Sequence, residues 1–212
     1  MGMEGAVARW YASTTAKSMG DFQKLARRMA GDLAPGASVL EVAPGPGYFA
    51  VELAKLGDYR VTGLDISATF VQIARANAGA AGVRVDFQRG NASRMPFADM
   101  QFDAIVCRAA FKNFTRPVAA LEEMYRVLKP GGRALIIDLR RDAAWSSISE
   151  AARGMNLGVI NSVITKLTFR FMLLKRAYTK AEFLRMAQAT SFRGADIREE
   201  GIGLDVRLSR LA

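Results

Sequence analysis

The sequence predicts an α/β fold: a doubly wound, mostly parallel sheet with helices on both faces and an antiparallel C-terminal strand. Apolar strand patterns alternate with amphipathic helix patterns from residue 38 to residue 139, which is typical of a parallel sheet covered by its crossover helices. The end of the chain follows a different pattern. Ala195–Glu200 and Leu204–Leu211 flank Gly201-Ile202-Gly203 and predict a β-hairpin, whose strands are antiparallel.

Two predicted helices, Glu4–Ser13 and Asp21–Leu33, precede the sheet, and Pro35-Gly36 ends the second. The alternating region then predicts strands at 38–42, 59–64, 83–88, 102–107 and 132–139, with helices at 47–56, 67–78 and 115–128. After Asp142 the alternation stops, and residues 143–176 predict one or two helices. Thr179-x-x-Glu182 is a capping box for a helix that reaches about Ala189.

The loop after the first predicted strand is the most informative segment. Residues 39–42 form the strand pattern, Gly45 and Gly47 follow, and a helix pattern begins at once. Glycines let a ligand approach the backbone, and the helix N-terminus presents unpaired N–H groups with a partial positive charge. The segment therefore predicts a cofactor site. Gly45-x-Gly47-x-x-Ala50 with Asp65 also fits the dinucleotide fingerprint, so the nucleotide stays open at this point.

Length and composition favour one globular domain. The chain has 212 residues, of which 50% are hydrophobic, enough for one full core. We divide it into N-terminal helices (1–34), a cofactor-binding core (35–142), a helical lid or insert (143–177) and a C-terminal helix with the hairpin (178–212). One cysteine and no histidine exclude a disulfide framework, a Ser-His-Asp triad and a histidine-ligated metal, so no metal is expected.

The balance of charge is basic. The chain carries 30 Lys and Arg against 20 Asp and Glu, a net charge of +10, which attracts anionic ligands, lipid surfaces or RNA. The first residues lack a signal-peptide pattern, and no long uncharged apolar run occurs, so we expect a cytoplasmic protein. Neither a recognition module nor a patch of stacking aromatics is visible, and a nucleic-acid partner is not expected.

Four segments form an ordered set of motifs. Residues 41–47 are Glu-Val-Ala-Pro-Gly-Pro-Gly, 63–67 are Gly-Leu-Asp-Ile-Ser, 90–97 are Gly-Asn-Ala-Ser-Arg-Met-Pro-Phe, and 128–132 are Leu-Lys-Pro-Gly-Gly. In this order and spacing they resemble the motifs of class I S-adenosylmethionine-dependent methyltransferases. The first motif departs from the family pattern because Ala43 replaces its first glycine. The resemblance implies a Rossmann-like fold and a methyltransferase that uses S-adenosyl-L-methionine and releases S-adenosyl-L-homocysteine.

The resemblance also implies which residues bind the cofactor. Asp65 is expected to hold the two ribose hydroxyls, and Glu41 to accept from the ammonium group directly or through water. Asn91 stands where the family usually has Asp, and its carbonyl oxygen can still accept from the adenine amino group. The expected cofactor-binding residues are Glu41, Ala43, Gly45, Gly47, Asp65, Ile66, Asn91, Ala92, Met95 and Arg108.

The apolar and glycine positions of this set have roles of their own. Gly45 and Gly47 are expected to let the backbone approach the methionine portion of the cofactor. Ile66 and Met95 are suited to sandwich the adenine ring, although the sequence leaves open that both belong to the core.

A closer resemblance concerns the acceptor side. Cys107–Phe114 followed by Leu121–Arg133 is similar to the ubiquinone/menaquinone C-methyltransferase branch, with Lys112-Asn113 in the place of Arg-Asn. Because the end of the fourth strand faces the methyl group in this fold, four acceptor-site candidates are Arg108, Phe111, Lys112 and Asn113. Tyr11 is a fifth, because it lies on the N-terminal helix and is placed to close over the cofactor. We expect direct in-line transfer to a small apolar or aromatic acceptor. A carbon or hydroxyl nucleophile needs a base, which here must be Asp, Glu, Tyr or Lys.

The stretch 157–176 predicts an amphipathic helix with basic flanks. Its apolar line is Leu157, Ile160, Ile164, Leu167, Phe171 and Leu174. Such a helix suits a lid over an apolar acceptor, a dimer contact, or a face on anionic lipid, so peripheral membrane contact and a monomer or homodimer stay open. Two other functions also stay open: a lipid- or RNA-directed methyltransferase, and a nucleotide-binding protein that is not a methyltransferase.

Overall fold

The computed structural model describes residues 2–154 and 174–211, and its centre is one mixed sheet. The strands are β1 Ser38–Val42, β2 Arg60–Asp65, β3 Asp86–Arg89, β4 Phe102–Arg108, β5 Leu128–Leu139, β6 Asp196–Glu200 and β7 Gly203–Ser209. They lie in the order β3-β2-β1-β4-β5-β7-β6. The first five pair in parallel, and β7 is antiparallel to both β5 and β6. The predicted fold class, including the antiparallel C-terminal strand, is confirmed.

Helices cover both faces of this sheet. They are α1 Gly5–Thr15, α2 Met19–Ala30, α3 Tyr48–Ala54, α4 Ala68–Ala80, α5 Pro117–Val127, α6 Trp145–Gly154 and α7 Lys180–Gln188. Alternate residues of β1 face opposite sides: Val39 packs with α2, α3 and α4, and Leu40 with α5 and α7. Short 3-10 turns lie at Ala16–Ser18, Phe111–Asn113 and Leu174–Arg176.

Two strand boundaries differ from the prediction for local reasons. β3 begins at Asp86 rather than 83, because the Val83 N–H donates to the Ala78 carbonyl and prolongs the end of α4. β5 begins at Leu128 rather than 132, because Leu128 pairs with Phe102 before the register shifts. The periodicity of apolar side chains predicts neither of these strand starts, since both depend on backbone hydrogen bonds.

The predicted amphipathic helix at 157–176 falls mostly outside the described residues. What is described of 143–176 is α6 and the turn Leu174–Arg176, with Leu174 fully buried. Among the residues that the structure describes, no helix is long and apolar enough to cross a membrane.

Candidate cofactor and acceptor site

A cavity of about 550 Å³ opens at the carboxyl ends of β1, β2 and β4. This is the edge at which open α/β sheets bind ligands. Most of the predicted cofactor residues line it: Glu41, Ala43, Gly45, Asp65, Ile66, Asn91, Ala92 and Arg108. A larger groove of about 1020 Å³ runs along the opposite edge, and no predicted site residue lies there. The smaller cavity is therefore the candidate site.

The loop after β1 keeps its left-handed turns even where glycine is missing. Gly45 has φ +55°, and Ala43, in the place of the family's first glycine, has φ +56°. The Ala43 N–H donates to the Leu64 carbonyl at 2.8 Å and the Gly45 N–H to Asp65 Oδ2 at 3.0 Å, so the loop is fixed to the end of β2. A left-handed alanine costs about 1–2 kcal/mol, which these bonds offset.

Gly47 has a packing role in this structure. It does not line the cavity. A Cβ there would lie 2.6 Å from Phe87 Cζ and 2.8 Å from Ala74 Cβ, and φ is +77°. Gly47 therefore allows the start of α3 to pack closely against α4 and β3, and Gly45 is the glycine beside the ligand space.

Glu41 is buried at the end of β1, only 2% exposed. Its Oε2 accepts from the Ala50 N–H in α3 at 3.1 Å, which leaves Oε1 for a ligand donor. Burial raises the pKa of Glu41 to about 8, and the nearby charge of Asp65 adds to the rise. A ligand that brings an ammonium group would favour the ionised form.

Asp65 ends β2 and joins three parts of the site. Its Oδ1 accepts from the Ser67 N–H at 2.8 Å and its Oδ2 from the Gly45 N–H. Each carboxylate oxygen keeps a second lone pair, so the pair of oxygens can still receive two hydroxyls. Burial raises the pKa of Asp65, against the effect of these hydrogen bonds.

The adenine side of the site is only partly as predicted. Ile66 is 44% exposed and lines the cavity, as do Asn91 and Ala92. The Asn91 Oδ1 accepts from the Ser93 N–H at 2.9 Å, which fixes the side chain.

Met95, in contrast, lies in the core at 4% exposure and does not line the cavity. Its N–H donates to Glu123 and its carbonyl accepts from Arg126, so α5 holds the segment with this side chain turned inward. Met95 therefore follows the alternative that the sequence left open, a side chain of the core.

At the acceptor end, the structure separates the five candidates. Arg108, Asn113 and Tyr11 line the cavity, and Phe111 and Lys112 do not. Phe111 is fully buried, with its ring 4.8 Å from that of Phe183. Lys112 turns away to form an ion pair inside the protein. The 3-10 turn at Phe111–Asn113 rotates successive side chains apart, and the sequence does not show that rotation.

Several cavity residues were missed by sequence reasoning. Phe22, Phe114 and Arg176 line the acceptor end, and the Arg108 guanidinium lies 4.3 Å from the centre of the Phe22 ring. Phe22 lies near the start of the predicted helix Asp21–Leu33. Its cation–π contact with Arg108 joins residues far apart in sequence, and helical periodicity carries no signal of it.

The N-terminal segment closes the adenine side, which was also missed. Gly2 and Met3 line the cavity. The Glu4 carboxylate accepts from the Ala68 and Thr69 N–H groups at 3.0 Å each, at the N-terminus of α4. Hydrogen bonds from the side chain and backbone of Thr69 lower the pKa of Glu4 to about 2. Glu4 thus caps a neighbouring helix and docks the start of α1 beside the site.

Comparison with known proteins agrees with this geometry. Residues 40–136 match the family model described as a methyltransferase domain. The chain is 40% identical over 101 residues to a demethylmenaquinone methyltransferase of Deinococcus radiodurans, covering 47% of this chain and 42% of that protein. It is 29% identical over 180 residues to one of Chlorobaculum tepidum, covering 82% and 72%. A SAM-dependent methyltransferase structure from Aquifex aeolicus superposes with a TM-score of 0.68 at 19% identity, covering 91% and 98%.

Residues 40–136 thus carry a methyltransferase domain, and the similarity of the chain is to class I methyltransferases, a class whose cofactor is S-adenosylmethionine. Within that class, the sequence similarity lies with the ubiquinone/menaquinone C-methyltransferase branch. The chain spans about half the length of most of the curated relatives that it matches. The buried Glu41 and Asp65 and the left-handed Gly45 fit the ammonium, ribose and methionine parts of this cofactor.

Proposed function

We propose that the protein transfers a methyl group to a ring carbon of a hydroxylated aromatic acceptor of the quinol type. The observation that carries this proposal is the composition of the acceptor end, where the cations Arg108 and Arg176 lie among the aromatic side chains of Tyr11, Phe22 and Phe114. The names of the related proteins, which include demethylmenaquinone and ubiquinone/menaquinone C-methyltransferases, support the same class of acceptor.

The reaction needs little from the protein beyond alignment and charge. When bound, the cofactor supplies a methyl group on a sulfonium, a good leaving group for in-line displacement. Asp65 and Glu41 hold the ribose and ammonium ends, which fixes the position of the sulfur. Arg108 and Arg176 stabilise the aryl oxide of the acceptor, which raises electron density on the neighbouring ring carbon. With the cofactor bound, that carbon would form the new C–C bond as the sulfur–methyl bond breaks, S-adenosylhomocysteine would leave, and the ring proton would pass to water.

An experiment with a defined acceptor tests this proposal. The protein is incubated with S-adenosylmethionine and reduced 2-alkyl-1,4-naphthoquinol, and the product is analysed by mass spectrometry and NMR. A methyl group on carbon is expected. Arg108→Gln should reduce kcat/KM for the naphthoquinol, and Arg84→Gln, exposed just before β3, should not. An O-methyl product, or no methylated product although S-adenosylhomocysteine binds, would refute the proposed acceptor.

A further inference from the structure

A buried ion pair connects the end of β5 to the loop that follows β4. Lys112 Nζ lies 2.9 Å from Asp138 Oδ1, and the two side chains are 8% and 6% exposed. Neither residue lines the cavity. Burying two charges is expensive unless each finds further hydrogen-bond partners. Those further partners show what the pair does.

All of these partners are backbone groups, which belong to the loop after β4 or to the end of β5. Lys112 Nζ also donates to the Ala109 carbonyl at 2.6 Å, and the Lys112 N–H donates to Asp138 Oδ2 at 2.8 Å. Asp138 Oδ1 accepts in addition from the Leu139 N–H at 2.8 Å, which holds the carboxylate on β5. One lysine thus joins the start of the loop, its middle and the neighbouring strand.

The start of the loop is strained, and this explains why it needs support. Ala109 has φ +56°, in the left-handed region that alanine rarely adopts, and its N–H donates to the Ile137 carbonyl at 2.7 Å. Such a conformation persists only where the surroundings determine it more strongly than the local preference does. The bond from Lys112 Nζ to the Ala109 carbonyl supplies part of that support.

The turn at Ala109 decides which side chains reach the acceptor. Arg108 precedes it, Ala110 and Asn113 follow, and all three line the cavity, whereas Phe111 is buried on the other side. We propose that Lys112 and Asp138 are positioning residues, which set the place of Arg108 and Asn113 for acceptor binding and methyl transfer. This inference rests on the proposed function, because it assumes that the acceptor binds beside this loop.

The test compares variants of the pair with a matched control. Lys112→Gln removes the charged donor, and Lys112→Arg keeps one. The double variant Lys112→Gln/Asp138→Asn avoids leaving a buried charge unpaired, so that it folds if the single variant does not. Lys129→Gln is the control, because Lys129 forms a similar bond with Asp103, 2.8 Å long, at the opposite end of β4.

Lys112→Gln and the double variant should lower kcat/KM for the reduced naphthoquinol by roughly 100-fold, the usual effect of about 1 Å of misplacement. The KM for S-adenosylmethionine should stay within about twofold, Lys112→Arg should recover most of the loss, and Lys129→Gln should change neither. Equal losses for cofactor and acceptor, or no loss, would refute the positioning role.

A measurement that needs no turnover tests the positioning role independently of the proposed acceptor. If the unmodified protein does not methylate the naphthoquinol, the acceptor proposal fails and the pair is judged by amide hydrogen exchange. Faster exchange in Lys112→Gln at residues 109–114, with residues 104–107 unchanged, supports the positioning role. Unchanged exchange at 109–114 contradicts it.

Discussion

The backbone N–H of Gly45 donates to Asp65 Oδ2 at 3.0 Å, so the glycine loop and the buried carboxylate at the end of β2 form one unit. The bond links the end of β1 to the end of β2 inside the cavity. A change at Asp65 therefore acts on the ligand and on the loop together.

Asp65→Ala should weaken S-adenosylhomocysteine binding by about 2–3 kcal/mol, because a charged acceptor of the ribose hydroxyls is lost. The unliganded protein should also lose about 1–3 kcal/mol of stability, since the buried N–H groups of Gly45 and Ser67 lose their acceptor. Calorimetry and urea unfolding measure the two effects. Asp58→Ala, at the exposed opposite end of β2, is the control, and unaltered binding by Asp65→Ala would exclude the ribose contact.

Glu41 should make the unliganded protein less stable as pH rises from about 4.5 to about 8. Its folded pKa, about 8, lies above the ordinary glutamate value of 4.5, so the folded state keeps a proton that the unfolded state has released. The free energy of unfolding should then fall by about 1.4 kcal/mol per pH unit relative to Glu41→Gln. Urea unfolding at pH 5, 6 and 7 tests this, and parallel pH profiles for the two proteins would show that Glu41 is ionised when folded.

Cofactor binding at pH 7 should release a proton from Glu41. The ammonium group favours the carboxylate over the carboxylic acid, which the protein holds when empty. Calorimetry with S-adenosylhomocysteine in buffers of different ionisation enthalpy measures the number of protons. Glu41→Gln should release fewer, and an equal release by both proteins would assign the proton to another group.

Ala43→Gly should raise the stability of the protein slightly. The left-handed φ of +56° costs alanine about 1–2 kcal/mol, more than the entropy that glycine loses on folding. Ala54→Gly, in α3, should instead lower stability by about 1 kcal/mol, because the position is helical. Thermal unfolding of both variants checks the sign, and a destabilised Ala43→Gly would mean that the alanine methyl group makes packing contacts that outweigh the strain.

The sheet and the two carboxylates at the strand ends could be predicted from the sequence, because both depend on the pattern of residues within short segments. Strand periodicity located β1 and β2, and Glu41 and Asp65 follow from their positions at the ends of those strands. The failures concern side chains whose direction depends on distant partners. Met95 turns inward because Glu123 and Arg126 hold its backbone, and Lys112 turns toward Asp138.

The glycine loop after β1 shows, within a single motif, the same limit of prediction from the sequence. Gly45 and Gly47 are equivalent in a pattern of spacing, yet only Gly45 lines the cavity. Gly47 is required by Phe87 and Ala74, which approach it from β3 and α4. This contact of Gly47 with a strand and a helix that are distant in the sequence exists only in the folded protein. The spacing of residues within the motif therefore does not predict it.

We interpret the cavity at the ends of β1, β2 and β4 as an S-adenosylmethionine site. Calorimetric titration of the purified protein with S-adenosylhomocysteine, and separately with NAD, tests it most directly. We expect roughly micromolar binding of S-adenosylhomocysteine, equivalent to about −8 kcal/mol, and far weaker binding of NAD. Tighter binding of NAD than of S-adenosylhomocysteine would contradict it.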